Sequence, residues 1–419
     1  MIIEIKENID NPEKLEKLFR TNKKGFEKAF YEIYPEITDF KISSFWKARF
    51  EYEENNDDLV HKSDNLNVLF VVIASLFTGF LIKLPQLFDI SYKYLFYEKN
   101  AGLIVFFGLS LFLFLTKKKL NKQNIIISAL ILIISALYVN ILSYNNESQT
   151  INLIYIHLPL LLWCLYGLIY IDFDLKDKLK RMNFIRHNGD IAILSAIILT
   201  AGIVLTLVTL GLFSAIDLDI NEIYFDYVVV IGIVSSPIVS TYIVKKYPFV
   251  TNKIAPIIAN IFSPLVLITL VIYLLSIVIT GKDPYNDRDF LMIFNIMLLG
   301  VMAIILFSVT ETAINKKRNF SYIALLILTT ITLLVDLYAL SAILYRLGEF
   351  GFTANRIAVL GSNLLIFGNL VLIIIELYKV IIKKGDIKNV EFKIASYLPI
   401  YIVWTLFIII ILPLIFGYK

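Results

Sequence analysis

The stretch SYIALLILTTITLLVDLYALSAILY, residues 321–345, contains one charged side chain, Asp336, among 25 residues. A helix rises about 1.5 Å per residue, so a run of this length reaches across the roughly 30 Å of hydrocarbon in a bilayer. The whole chain has the same character, since 58% of its 419 residues are hydrophobic and 18% are charged. Soluble proteins average about 45–50% apolar and about 25% charged residues. The sequence therefore predicts a membrane protein.

Ten other apolar runs accompany this one, and together they predict an all-α polytopic transmembrane helix bundle of about eleven spans. The bundle is predicted to occupy residues 65–419. The predicted spans are 66–88, 101–116, 124–143, 151–171, 190–215, 225–244, 253–280, 290–312, 321–345, 357–382 and 394–417.

Residues 1–64 are more polar and predict a small helical domain in front of the bundle. Asn11-Pro12 is typical of a helix start, because a capping residue precedes a proline in the first turn. Phe26 and Phe30 then stand at helical spacing, and a third apolar pattern follows them. A cytoplasmic helical domain is the expectation.

Lysine and arginine in the loops predict the orientation, because the basic side of short loops faces the cytoplasm. With the N-terminus assigned to one side, the loops of that side hold nineteen basic residues and the opposite loops hold seven. Every loop of the first side has at least three, and no loop of the second has more than two. We therefore expect a multi-pass protein of the cytoplasmic membrane, with its N-terminus inside and its C-terminus outside.

Few ionisable residues fall within the predicted spans, where charge is costly and often functional. Asp336 is the clearest case, because no neighbour along its helix neutralises it, and it falls in the outer half of its predicted span. Two interpretations stay open. Asp336 could pair with Lys83, Arg346 or Arg356 and so fix the bundle, or it could be a substrate or proton site.

Other polar residues of the spans have simpler interpretations. Glu376 and Lys379 stand one turn apart and are expected to pair. Glu311 lies near a span end, within reach of water. His157 is expected to be a hydrogen-bonded interior histidine, and Asn295 to be an interhelical hydrogen-bond partner.

The chain lacks the common local motifs of catalysis and cofactor binding. It contains no phosphate-binding loop, no H-E-x-x-H pair and no G-x-S-x-G elbow. One cysteine, Cys164, and three widely spaced histidines offer few ligands for a His/Cys metal site. The basic residues follow the loop pattern and do not form a nucleic-acid surface. No cofactor, metal or nucleic-acid partner is expected.

Two segments beside the late spans carry a resemblance. They are GKDPYNDRDFL, residues 281–291, and YRLGEFGFTANR, residues 345–356. Together they resemble a family of bacterial multi-pass membrane proteins classed as a domain of unknown function, four-one-five-three. That family has a Y-x-R…E-x-G-x-T-x-x-R-like segment between two late helices, although Tyr345 and Arg346 are adjacent here. The resemblance covers about residues 65–417, and it implies a bacterial membrane protein without implying an activity.

Acidic and basic side chains of these segments are predicted to share the outward face of the membrane. Gly351 and Thr353 suit a turn and a helix cap between Arg346 and Arg356. The candidate polar site therefore comprises Asp336, Arg346, Arg356, Lys83, Asp283, Asp287 and Asp289.

Three hypotheses of function follow from this site. The leading one is a non-enzymatic protein, transporter-like or handling a lipid or envelope component. Its arginines would bind an anionic small molecule or a lipid headgroup, and Asp336 would titrate or pair. The second is a membrane enzyme acting on a lipid-linked substrate, with Asp283, Asp287 and Asp289 as acid, base or metal ligands. The third is a sensor or scaffold with residues 1–64 as its output. The sequence predicts no oligomeric state.

Overall fold

The structure is a computed structural model of the chain. It describes residues 1–247 apart from 39, 89–92, 118–120, 143–146 and 215–218, residues 263–268, 270–272, 275, 279 and 285, and residues 288–418 apart from 315–318 and 384.

Residues Met1–Leu69 form the first of two compact units. Its helices are α1 (Ile2–Glu7), α2 (Pro12–Thr21), α3 (Lys23–Ile33) and the beginning of α4 (Lys41–Leu87). The side chain of Asn11 accepts a hydrogen bond from the backbone N–H of Lys14 at 3.2 Å, so the predicted cap and proline do begin α2. The sequence pattern gave no indication of α1.

An aromatic cluster fills the interior of this first unit. The ring of Trp46 lies 5.1 Å from that of Phe19 and 5.0 Å from that of Phe26, and Phe50 packs beside them. All four side chains are at most 5% exposed. Helices α2, α3 and α4 therefore share one small hydrophobic core.

Residues Phe70–Lys419 form the second unit. The unit boundary falls within α4, and no strand occurs among the residues that the structure describes. The further helices are α5 (Lys93–Thr116), α6 (Lys122–Ile141), α7 (Gln149–Tyr170), α8 (Lys178–Ser214), α9 (Asn221–Lys246), α10 (Arg288–Ile314), α11 (Asn319–Phe350), α12 (Ala354–Ile382) and α13 (Lys388–Phe416).

Nine helices in the described part of the chain are long and apolar enough to cross a membrane. They confirm the all-α helix bundle and correspond to nine of the eleven predicted spans. The predicted span 290–312 coincides with α10, whose apolar part, Asn295–Glu311, is shorter than the nine. The predicted span 253–280 lies mostly outside the described residues, although 263–268 are helical. The chain is thus a multi-pass integral membrane protein.

Several helices extend beyond the predicted spans into polar sequence. Helix α8 begins at Lys178, twelve residues before the predicted span, and α13 begins at Lys388. The predicted spans 151–171 and 190–215 place Arg186 in a loop, and this prediction is wrong because Arg186 lies within α8. Hydropathy averages over all faces of a helix, so it ends a span wherever polar residues accumulate, even if one face is buried.

Two hydrophobic clusters divide the second unit. One unites α4 to α9 around Phe112, Leu162 and Tyr166. The other unites α10 to α13, with Met182 of α8, around Leu370 and its neighbours. Helix α8 contributes to both clusters, so polar groups near its beginning lie where the two cores meet.

Candidate functional site

Asp336 lies at the midpoint of the candidate span Tyr322–Phe350. Its side chain is 0% exposed. Neither carboxylate oxygen receives a hydrogen bond from any residue that the structure describes, and none of the described lysines or arginines forms an ion pair with it. Asp336 is therefore a buried acid without a neutralising partner in the described part of the bundle.

The neighbouring helices place two more polar groups at the same level. Asn369 lies near the midpoint of α12, and Tyr401 lies near the midpoint of α13. The amide of Asn369 donates a hydrogen bond to the hydroxyl of Tyr401 at 2.9 Å, whereas its own Oδ1 has no described donor. Tyr401 is also close enough to Asp336 for a charge on that carboxylate to act on its hydroxyl group. Asp336, Asn369 and Tyr401 therefore form a layer of polar residues on three successive helices, within an otherwise apolar core.

The two predicted arginines come together at the turn between α11 and α12. The guanidinium of Arg346 lies over the ring of Phe350 at 5.4 Å, and that of Arg356 lies over the same ring at 5.5 Å. Arg356 donates to the carbonyl oxygens of Phe350 and Gly351 at 2.6 and 2.7 Å. Gly351 has φ +74°, and Thr353 caps α12. The predicted turn and cap are confirmed.

The remaining predicted site residues are not seen beside Asp336. The ammonium of Lys83 on α4 lies 4.7 Å from the centre of the Tyr227 ring on α9. Asp283 and Asp287 lie outside the described residues. Asp289 is in the first turn of α10, but its side chain is outside the described part of the structure.

A second ionisable centre, which the sequence analysis did not assemble, lies where the two cores meet. Arg186 of α8 donates to Glu391 of α13 at 3.3 Å and to the carbonyl oxygen of Thr310 on α10 at 3.0 Å. Its Nε lies 3.6 Å from Glu311 Oε1. Asp190, one turn further along α8, is 8% exposed and lies within electrostatic range of Glu311. One guanidinium therefore faces three buried carboxyl groups.

Aromatic and imidazole groups border this centre. His187, the residue after Arg186, is 6% exposed and shares a 3.0 Å hydrogen bond between its Nε2 and the hydroxyl of Tyr166. Its ring stacks on that of Tyr170 at 4.7 Å. These contacts orient the imidazole beside the charged centre.

Three simpler expectations are confirmed. Lys379 donates to Glu376 at 2.9 Å, one turn apart on α12. His157 Nδ1 lies 2.9 Å from the carbonyl oxygen of Leu153, within hydrogen-bonding distance. Asn295 accepts a hydrogen bond from Asn363 at 2.7 Å, which links α10 to α12. These groups contribute to helix packing.

The polar centres differ in the chemistry that they offer. Among the described residues, no group of three or more His, Cys, Asp or Glu is arranged to hold a metal ion. An acid without donors at the centre of a bundle binds a proton or a small cation, whereas an arginine between two carboxylates holds helices together. Asp336 is therefore the stronger candidate for function, and Arg186 the stronger candidate for architecture.

No protein-family model matches the chain, and no curated protein or solved structure matches it. The resemblance to the bacterial family stays a prediction, and the site has to be interpreted from its own geometry.

Proposed function

We propose that this protein is transporter-like and that Asp336 binds and releases a proton or a small cation at the centre of the bundle. The observation that carries this proposal is the complete burial of Asp336 with neither oxygen hydrogen-bonded within the described chain. Secondary transporters keep coupling-ion sites near the bilayer midplane, between packed helices.

The free-energy cost of a buried charge supports this role. An ionised carboxylate without partners costs several kcal/mol or more in an apolar interior, so such a group carries a proton or a cation instead. A leucine at position 336 would avoid the cost and fill the same core. An acid with no structural benefit in view, on a helix in which Leu, Ile, Thr and Ala predominate, is the pattern of a functional group.

Helix α13 contributes a residue both to the polar layer at Asp336 and to the charged centre around Arg186. Glu391 lies near its beginning and Tyr401 near its midpoint, about 15 Å apart along the helix axis. The three carboxyl groups around Arg186 exceed its single positive charge, which favours cations and protons at that end of the bundle.

Carbodiimide labelling tests the proposal. Dicyclohexylcarbodiimide reacts with protonated carboxyl groups in apolar surroundings, and the full-length protein in detergent is digested and mapped by mass spectrometry. We expect label on Asp336 that declines as the pH rises, and none on the half-exposed Asp174. Protection by sodium or lithium at constant pH would identify a cation site, whereas protection by alkaline pH alone would identify a proton site. An unlabelled Asp336 at every pH, in a folded protein, contradicts the proposal.

A second candidate function is the binding of an anionic small molecule or lipid headgroup at the turn between α11 and α12. The observation that favours it is the placement of Arg346 and Arg356 over the one ring of Phe350. A guanidinium has five N–H donors, and both arginines retain several beyond their carbonyl contacts. Inorganic phosphate, and separately phosphatidylglycerol, should raise the unfolding temperature of the protein but not of the double variant Arg346→Gln, Arg356→Gln. Equal shifts in both proteins would exclude this site.

A further inference from the structure

A groove lies between α4, α5 and α6, with α5 as its floor. Its volume is about 470 Å³, within the range of about 300–1,000 Å³ that is typical of ligand sites. The groove is lined by Leu81 and Leu84 of α4, Leu95, Phe96, Lys99, Asn100, Leu103 and Ile104 of α5, and Ala136 and Asn140 of α6.

The polar groups of the groove gather midway along its α5 floor. Asn100 and Asn140 exchange hydrogen bonds between their amides, at 3.1 and 2.8 Å, so they satisfy each other. Lys99 donates to the carbonyl oxygen of Leu142 at 2.8 Å. An ammonium group has three donors, so two remain for a ligand. The rest of the lining is apolar.

The position of the groove along the spans indicates what it faces. Lys99 lies four residues into the span Leu95–Thr116, and Asn140 is the next-to-last residue of the span Lys122–Ile141. The polar groups therefore lie near the level where a bilayer changes from hydrocarbon to headgroups. From Lys99 to Ile104 the floor runs about 7.5 Å further towards the membrane centre.

The outer faces of α4 and α6 carry exposed apolar side chains. Phe80 of α4 is 49% exposed and Leu137 of α6 is 58% exposed, and both are apolar side chains inside membrane spans. An open apolar groove at this depth has hydrocarbon as its surrounding solvent. It is filled by whatever apolar chain the membrane supplies.

We propose that this groove binds one acyl chain of an anionic phospholipid, with the lipid phosphate at Lys99. The apolar floor and walls match a chain that enters from the interface, and the positive charge stands where the phosphate would lie. Lys99 contributes charge complementarity, because basic residues near the membrane surface attract anionic headgroups. The site is separate from Asp336 and does not depend on its role.

Photolabelling of the full-length protein in phosphatidylcholine nanodiscs tests this site. The probes are phosphatidylglycerol and phosphatidylcholine that each carry a diazirine within one acyl chain, and the labelled peptides are identified by mass spectrometry. We expect label in the groove segments 81–87, 95–104 and 136–140, with a higher yield from phosphatidylglycerol.

Matched variants separate the chain site from the headgroup site. Ala136→Trp fills the groove and should lower labelling severalfold, whereas Leu137→Trp, on the exposed side of the same helix, should not. Ala136→Leu is a milder filling variant if the tryptophan prevents folding. Lys99→Gln should retain labelling but lose the preference for phosphatidylglycerol, and Lys122→Gln at the other end of α6 should keep it.

Three results would overturn the proposal. The first is unchanged groove labelling in both filling variants. The second is equal labelling of the wild-type groove by the anionic and zwitterionic probes, which removes Lys99 as a headgroup site. The third is crosslinking of the groove segments to another copy of the chain together with loss of a dimer in Ala136→Trp, which identifies a second copy as the occupant.

Discussion

Arg186 on α8 and Glu391 on α13 are 205 positions apart, and their side chains meet at 3.3 Å. The same guanidinium lies 3.6 Å from Glu311 and donates to the carbonyl oxygen of Thr310, both on α10. Glu311 and Glu391 are 2% and 5% exposed. One side chain therefore joins the ends of three helices that belong to two different hydrophobic clusters.

Arg186→Gln should destabilise the protein strongly. The change leaves two buried carboxylates without their cation, and breaking a buried pair in this way costs about 3–5 kcal/mol. The unfolding temperature in detergent, followed by tryptophan fluorescence, measures the loss. A second change, Glu391→Gln, should restore part of it because it removes one of the unpaired acids.

The matched control for this pair is Lys379→Gln. Lys379 also pairs with a buried glutamate, Glu376, but its side chain is 47% exposed. The loss there should stay below about 1 kcal/mol, as for other exposed ion pairs. Equal effects of Arg186→Gln and Lys379→Gln would show that the three-helix junction adds no stability.

The first unit should lose stability in acid because of Glu16. Hydrogen bonds from Arg20 and Arg49 lower the pKa of Glu16 from its ordinary value of 4.5. A lowered folded-state pKa stabilises the fold above pH 4.5, and that contribution disappears as the pH falls from 4.5 through the lower folded-state value. Arg49 links α2 to α4, so acid should loosen the contact between these helices.

Fluorescence of Trp46 reports this transition, since its ring lies 5.1 Å from that of Phe19 on α2. Trp163 and Trp404 are replaced by Phe so that one tryptophan remains. Glu16→Gln should remove the acid transition, and Glu13→Gln, an exposed position of the same helix, should keep it. A transition unchanged in Glu16→Gln would assign it to other groups.

The length and apolar character of the runs predict the fold, and the errors of this prediction lie at the ends of the helices. The run 321–345 and eight others correspond to membrane helices because their apolar character does not depend on which face is buried. The polar beginning of α8 was assigned to a loop, since Lys178 and Arg186 lower the local hydropathy. Which side chains at the beginning of α8 are buried is decided only by the packing of α10 and α13 against this helix.

The sequence predicts the candidate site only where a charged residue stands within an apolar run. Asp336 stands out in an apolar run, and its burial follows from that run. Asn369 and Tyr401 gave no comparable signal, because their pairing depends on the register of two helices. Arg186 and Asp190 do stand at i and i+4 before an apolar run, and this spacing is a usable signal of a buried polar face. Glu391 becomes significant only through tertiary contact.

Gly361→Ala should destabilise the packing of α12 on α13. A methyl group at this glycine would overlap the indole of Trp404, so the indole or one of the two helices has to shift. Overpacking of this kind costs about 1–3 kcal/mol. Gly300→Ala is the control, because nothing lies within 4 Å of its added carbon, and it should stabilise α10 by about 0.5–1 kcal/mol. Thermal unfolding of both variants measures the difference, and an equal gain in both would refute close packing at Gly361.

Asp336→Asn separates a functional acid from a structural one. If Asp336 neutralised Lys83, Arg346 or Arg356, its loss would leave a buried or partly buried cation unpaired and cost about 3–5 kcal/mol. The structure shows no such pair among the described residues, so we expect the variant to fold and to unfold at an unchanged or higher temperature. Carbodiimide labelling at position 336 should disappear in the same sample.

Asn369→Leu is the comparison variant for this test, because Asn369 does make a hydrogen bond, to Tyr401 at 2.9 Å. Its loss should cost about 1 kcal/mol, so the bonded amide should matter more to stability than the unbonded acid does. A large loss of folded protein in Asp336→Asn alone would reverse that order. It would return Asp336 to the role of a structural ion pair, with a partner outside the described residues.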